Sequence, residues 1–392
     1  MSARIVITFL MLLVVSSNRL TFGSDCTDST LGLVPLTELT GTYLGQLGGL
    51  YPAGLNVPPA AHDSAGKAIS LQFLPLDTAG VIDPVNGVWV LLSVGMSNCT
   101  QEFTTFMAGL VGDTTLHPRL RIVDGAQGGQ TAFKIQHDTA SFWNNIDTKL
   151  ATAGFTRKQV QAIWFKEADA SPSAAFPVHA NILRDEFVKI AQVIKSKFPN
   201  SKQLFASSRT YAGYASTGLN PEPYAYESAF AVRWLIEAQI SGNDSVNFDP
   251  ALGVVNSPWL AWGPYLWADG VVPRALDSLQ WFCSDFITVD GTHPDTSGRA
   301  KVANLLEQYF KTSDYSKVWF LKGPVAVVGD ADGNGQLTIS DAVYLINYVF
   351  SGGPSPDPID LGDADCTRTV TISDAVYLIR YIFAGGPAPC RR

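Results

Sequence analysis

Charge is scarce in this chain. Only 16% of its 392 residues are Asp, Glu, Lys or Arg, the net charge is −8, and no basic cluster occurs. Nucleic acids are held through clustered lysine and arginine, so they are excluded as partners. Long apolar runs are also missing. Residues 5–15 (Ile-Val-Ile-Thr-Phe-Leu-Met-Leu-Leu-Val-Val) are too few to span a bilayer comfortably. They follow one early charge, Arg4, end in Ser-Ser-Asn, and read as a secretory signal over residues 1–24, cleaved near Gly23 or Ser24; an uncleaved anchor is the alternative. Gly-Ser-Asp ahead of Cys26 is a poor lipoprotein signal.

Cysteine is sparse and odd in number: Cys26, Cys99, Cys283, Cys366 and Cys390. Secretion permits disulfides, and an odd count leaves one thiol free or pairs it between chains. A Cys366–Cys390 bridge is expected, tying the tail back onto the C-terminal region. The pairing of the other three stays open. Histidine is rarer than its chemistry would need for several sites. His62, His117, His137 and His179 have no partner at telling spacing, which leaves His293.

What the chain does have is enough apolar residue, 46%, for a sizeable core, and a 33-residue internal repeat near its C-terminus. Gly329-Asp330-Ala331-Asp332 opens one copy and Gly362-Asp363-Ala364-Asp365 the next. Both run into Thr-Ile-Ser-Asp-Ala-Val-Tyr-Leu-Ile and close with Gly-Gly-Pro. In the first copy, oxygen ligands fall at loop positions one, three and five (Asp330, Asp332, Asn334). Gly335 makes the sharp turn, Gln336 offers its carbonyl at position seven, and Asp341 closes the site at twelve. Calcium takes six to eight oxygens at about 2.3–2.6 Å, which this spacing wraps around one ion. The second loop keeps Asp363, Asp365 and Asp374, with Thr367 and Thr369 at positions five and seven. Arg368 stands at the glycine position, where it disfavours a positive φ and brings a cation close, so weaker calcium binding is expected. Ile339, Ala342, Ile346, Val349 and Phe350, and Ile372, Ala375, Ile379, Ile382 and Phe383, lie at helical spacing and are expected to pack on each other. Tyr344, Tyr348, Tyr377 and Tyr381 are read as structural.

Two Asp-terminated loop-helix units resemble the dockerin type I family over roughly residues 328–390. The resemblance implies an attachment device whose partner is a cohesin-like protein or a cell-surface structure. It also implies that Ile339-Ser340 and Ile372-Ser373 face that partner.

Between about residues 27 and 322, short apolar runs alternate with amphipathic patterns. Val88–Val94, Leu120–Val123, Val160–Phe165 and Leu204–Ser207 read as strands, and Ile182–Phe198 as the clearest helix. Such alternation predicts an α/β three-layer sandwich with a parallel sheet, whose sites gather where strands end and helices begin. Three places there carry chemistry. Trp89–Val94 runs into Gly95-Met96-Ser97-Asn98, lifting a hydroxyl at a strand end ahead of a helix that starts near Thr100. Asp290-Gly291-Thr292-His293 lets a carboxylate orient an imidazole. Asp124–Thr131, with Gly128-Gly129, offers a close backbone N–H. Cys99, two residues beyond Ser97, is a competing nucleophile that a helix would turn to another face. Tyr211–Tyr226 and Trp259, Trp262, Tyr265 and Trp267 are aromatic-rich, fit either to stack on sugars or to fill a core.

Together the three places resemble the SGNH (GDSL-like) hydrolase superfamily, and Gly95-Met96-Ser97-Asn98 its carbohydrate acetylesterase branch. The resemblance implies a flavodoxin-like sheet and a secreted serine esterase acting on a polysaccharide. Ser97 would be the nucleophile, His293 the base and Asp290 its orienting group, with the N–H groups of Ser97 and Gly129 holding the oxyanion. The family's third block contributes an Asn amide there. Trp164-Phe165-Lys166-Glu167-Ala168-Asp169 places Asp169 at that position, and an ionised carboxylate cannot donate. Two alternatives remain open: a glycan-binding protein that keeps this shape without turnover, and a structural surface component.

Overall fold

The computed structural model describes residues 23–322, 328–333, 336–356 and 358–389. The expected signal segment therefore lies almost wholly outside the described residues, as do Asn334, Gly335 and Cys390.

After a two-residue hairpin, β1 (Thr42–Tyr43) and β2 (Gln46–Leu47), and helix α1 (Ala60–Ser70), the chain builds one five-stranded parallel sheet. Its strands are β3 (Trp89–Gly95), β4 (Leu120–Asp124), β5 (Val160–Lys166), β6 (Gln203–Ala206) and β7 (Trp259–Trp262), in the order β4-β3-β5-β6-β7. Counted along the sheet alone, that is second, first, third, fourth, fifth, the flavodoxin-like order. Every residue of β3 and β5 is buried, which is why both are mostly apolar, with Ser93, Gln161 and Lys166 as the polar exceptions.

Helices connect the strands: α2 (Ser97–Gly109), the one-turn α3 (Ala132–Ile135), α4 (Ser141–Thr152), α5 (Val178–Lys197) and α6 (Tyr224–Ile240). Beyond β7 come α7 (Thr296–Thr312) and the short α8 (Lys317–Phe320). α2 packs on α7 and α5 on α6. The four expected strands are present, and a fifth, β7, lies inside the aromatic-rich stretch. Tyr211, Tyr214, Tyr226, Trp259, Trp262, Tyr265 and Trp267 are all buried in the main core, so these aromatics fill the protein and do not form a sugar platform.

Cys26 and Cys283 form a disulfide with Cα atoms 5.5 Å apart. It joins the start of the described chain to the loop that leads into Asp290. Cys99 is free and buried.

In the C-terminal repeat each acidic loop leads into a helix, α9 (Ile339–Ser351) and α10 (Ile372–Ala384), and the two helices pack together. The buried seam is Ala342, Leu345, Ala375 and Leu378, with Ala331 and Ala364 from the loops. This corrects the expected stripe: Ile339, Phe350, Ile372, Ile379 and Phe383 are exposed. The reason is the phase of the helix. Asp341 and Asp374 must turn inward toward their loops, and the residues one and four positions later follow them into the seam.

Candidate active site

β3 ends at Gly95, and α2 begins two residues later at Ser97. The turn has no room for a side chain at Gly95, where a Cβ would lie 2.3 Å from the Lys166 carbonyl oxygen and 2.7 Å from Cys99 Cβ. Ser97 is thus the first residue of the helix, with its hydroxyl at the strand end and the unsatisfied N–H groups of the first turn beside it. The helix starts three residues earlier than its apolar pattern indicated.

His293 arrives from the loop ahead of α7. Its Nε2 lies 2.8 Å from Ser97 Oγ, and its Nδ1 lies 2.6 Å from Asp290 Oδ2. Asp290 Oδ1 accepts the backbone N–H groups of Thr292 at 2.8 Å and His293 at 2.9 Å. Burial opposes ionisation of Asp290. These two N–H groups and the imidazole outweigh that effect and hold its carboxyl below the usual carboxylate value. The loop is fixed at both ends: Asn98 Nδ2 donates to the Thr292 carbonyl at 2.9 Å, and Ile287 N–H donates to the His293 carbonyl at 2.9 Å. Gly291, at φ +62°, turns this loop where a Cβ would lie 1.9 Å from the Tyr214 carbonyl oxygen.

Ser97 and His293 line a cavity of about 230 Å³ together with Gly129, Asp169, Arg209 and Asn220. Gly129 has a φ of +72°, and its neighbour Gly128 approaches Ser97 Cβ. The structure therefore brings together all the residues expected to act at this site. Asp169 occupies the cavity wall as an acceptor, its Oδ1 taking the backbone N–H of Phe133 at 3.0 Å. Glu186 on α5 stands next to it. Burial, and then the Asp169 carboxyl beside it, push the Glu186 pKa up to about 8.

Cys99 is excluded as the nucleophile. It is fully buried, points back to the Val94 carbonyl, and burial pushes its thiol pKa well up. Beneath the site Lys166 Nζ lies 2.6 Å from Glu102 Oε1, both side chains wholly enclosed, which ties α2 to the end of β5. Arg209 and Asn220 carry little signal in the sequence. Arg209 is a lone cation three residues beyond the buried strand β6. Asn220 carries no such mark.

In the repeat, carboxylate oxygens of Asp330, Asp332 and Asp341 lie within 4.8 Å of one another, as do those of Asp363, Asp365 and Asp374. Asp341 accepts the N–H groups of Asp332 (3.2 Å) and Thr338 (2.8 Å), and Asp374 those of Asp365 (3.1 Å) and Thr371 (2.8 Å). Burial first, then the neighbouring aspartates, raise the pKa of both Asp341 and Asp374. Arg368 does adopt the left-handed turn, at φ +69°, and donates its N–H to Asp363 Oδ2 at 3.0 Å. Ser340 and Ser373 use their hydroxyls on Asp332 and Asp365.

No family model matches the chain, and no curated protein does. Solved structures similar to it include the following two. One is the periplasmic domain of a lipopolysaccharide acetyltransferase from Salmonella Paratyphi A, at 14% identity and a TM-score of 0.32, over 63% of this chain and 95% of that one. The other is a protein from Bacteroides fragilis described as an acylhydrolase, at 12% identity and a TM-score of 0.32, over 64% and 96%. No helix among the described residues is long and apolar enough to cross a membrane.

Proposed function

We propose that this protein is a secreted serine esterase that removes acyl groups, acetyl in the first instance, from a polysaccharide. The observation that carries the reading is the hydrogen-bonded chain Ser97–His293–Asp290 opening into one cavity beside Gly129. His293 Nε2 is placed to take the Ser97 proton as the hydroxyl attacks the ester carbonyl, and to return it to the departing alcohol. Asp290 holds the imidazole in the tautomer with its proton on Nδ1. The Ser97 and Gly129 N–H groups would receive the oxyanion.

The C-terminal repeat is proposed to bind calcium and to attach the enzyme to a cohesin-like protein or a cell-surface structure. The residues fit the ion. Three clustered carboxylates per loop repel one another without a cation, and hard oxygen donors suit calcium. Asp330, Asp332, Asn334, Gln336 and Asp341 would hold one ion. Asp363, Asp365, Thr367, Thr369 and Asp374 would hold another more weakly. A Cys366–Cys390 bridge would close the module.

A second reading, a glycan-binding protein without turnover, is favoured by Asp169, which adds a carboxylate where a donor is wanted. Hydrolysis of a short acetyl ester by the secreted form in calcium, with Ser97→Ala beside it, separates the two. Activity lost in the variant supports the esterase. A folded parent with no activity leaves the binding protein.

A further inference from the structure

The catalytic cavity continues past Asp169. Gly129, Thr131, Asp169, Ala170 and Leu219 line it and also line a wider adjoining groove of about 640 Å³. An acetyl group fills only a small part of the first cavity, so the adjoining groove lies beyond the reach of that group.

Its walls are specific in character. On one side stands the ring of Phe133, 63% exposed on the short helix α3. Asp169, which accepts the Phe133 backbone N–H, and the 171–174 loop also line it, and α5 contributes His179 and Glu186. His179 is only 5% exposed, and its Nε2 has no hydrogen-bond partner among the described residues. Buried polar atoms are nearly always paired, so an orphan in a groove wall marks a place where a ligand hydroxyl or a water belongs. The Asp169 carboxylate disfavours an anionic occupant. Lys134, the cation in the wall, already donates to the Gly129 carbonyl at 2.6 Å. Ile182 and Leu219 add apolar surface beside these polar groups. An exposed aromatic face flanked by carboxyl and imidazole acceptors suits a ring with apolar C–H faces and equatorial hydroxyls.

We infer that this groove is the subsite for the sugar portion of the substrate, a neutral glycan unit seated on Phe133 with its hydroxyls toward Asp169 and His179. The inference rests on the esterase reading for its kinetic test but not for its binding test.

Phe133→Ala removes the ring and leaves the backbone N–H that Asp169 accepts. It is to be assayed in the full chain on p-nitrophenyl acetate, on partially acetylated cellotetraose and on p-nitrophenyl octanoate. The expected result is a KM for the sugar ester raised at least fivefold, kcat/KM for p-nitrophenyl acetate unchanged, and recovery in Phe133→Trp. An unchanged KM for the sugar ester, or a loss confined to the octanoate, overturns the assignment. If the parent hydrolyses none of the three, the esterase reading fails and binding decides the groove. Cellotetraose titrated into Ser97→Ala by calorimetry should bind saturably, and the binding should be lost in Ser97→Ala/Phe133→Ala. No binding to Ser97→Ala, or equal binding to both, overturns the subsite.

Discussion

Asp169 accepts the backbone N–H of Phe133 at 3.0 Å, so the side chain standing where an oxyanion donor is expected instead anchors the short helix beside Gly129. An asparagine could do both tasks, accepting through Oδ1 and donating through Nδ2. Asp169→Asn is therefore expected to raise kcat on a small acetyl ester by about tenfold or more, since an oxyanion donor is worth on the order of 10²–10³ in kcat. Steady-state kinetics with both forms at equal folded concentration test this. A lower kcat in the variant would mean that the carboxylate has a role of its own.

Asp290 should matter through the imidazole it orients. Asp290→Asn preserves the shape of the loop but presents an amide to Nδ1 and favours the wrong tautomer. A fall in kcat of roughly 10³–10⁴ is expected, with little change in KM. Ser97→Ala should abolish turnover to the same background. A mild effect of Asp290→Asn would remove the triad from the mechanism.

Glu186 makes stability depend on pH. Its pKa is pushed up to about 8 in the folded protein by burial and then by Asp169, and it is about 4.3 in an unfolded chain. Between these values the folded state holds a proton that the unfolded state has released. Its contribution is complete below the unfolded pKa and is lost as pH rises through about 8. Glu186→Gln should therefore melt at a higher temperature than the parent at pH 9, and the two should converge below about pH 4.5. A melting difference that does not vary with pH sinks this account.

Lys166 and Glu102 form an enclosed ion pair. Lys166→Met leaves the carboxylate buried alone and should cost about 3–5 kcal/mol, whereas Glu102→Gln/Lys166→Met should recover most of that loss. Denaturant unfolding of the parent, the double variant and both single variants, Glu102→Gln included, measures the difference. Additive losses would contradict a paired role.

In the repeat, chelation of calcium should lower the melting temperature, and Asp341→Ala should do the same without chelator. Arg368→Gly should strengthen the second loop, because a left-handed backbone costs a side-chain-bearing residue about 1–2 kcal/mol. Calcium titration by calorimetry should then show the second affinity move toward the first. A single binding event in both forms would mean that the second loop holds its shape without an ion.

Local sequence determined a good deal of this protein. The mostly apolar runs of β3 and β5 read as interior strands, and the 33-residue repeat placed both acidic loops and both helices. Gly95 before Ser97, and Asp290 three residues from His293, are short-range relations that a strand end and a tight turn already dictate. The tertiary structure decided whatever depends on distant partners. It joined His293 to a serine 196 positions away and paired Cys26 with Cys283. It buried the aromatic stretch that, by composition alone, could equally have been a surface, because that stretch contains the last strand of the sheet. It also turned α9 and α10 by one position, since the inward aspartates rather than the apolar count set the phase. Asp169 is the clearest case. Its identity was plain in the chain, but its use as an acceptor for Phe133 follows only from the meeting of α3 and the loop after β5, which extend from the two strands that flank β3.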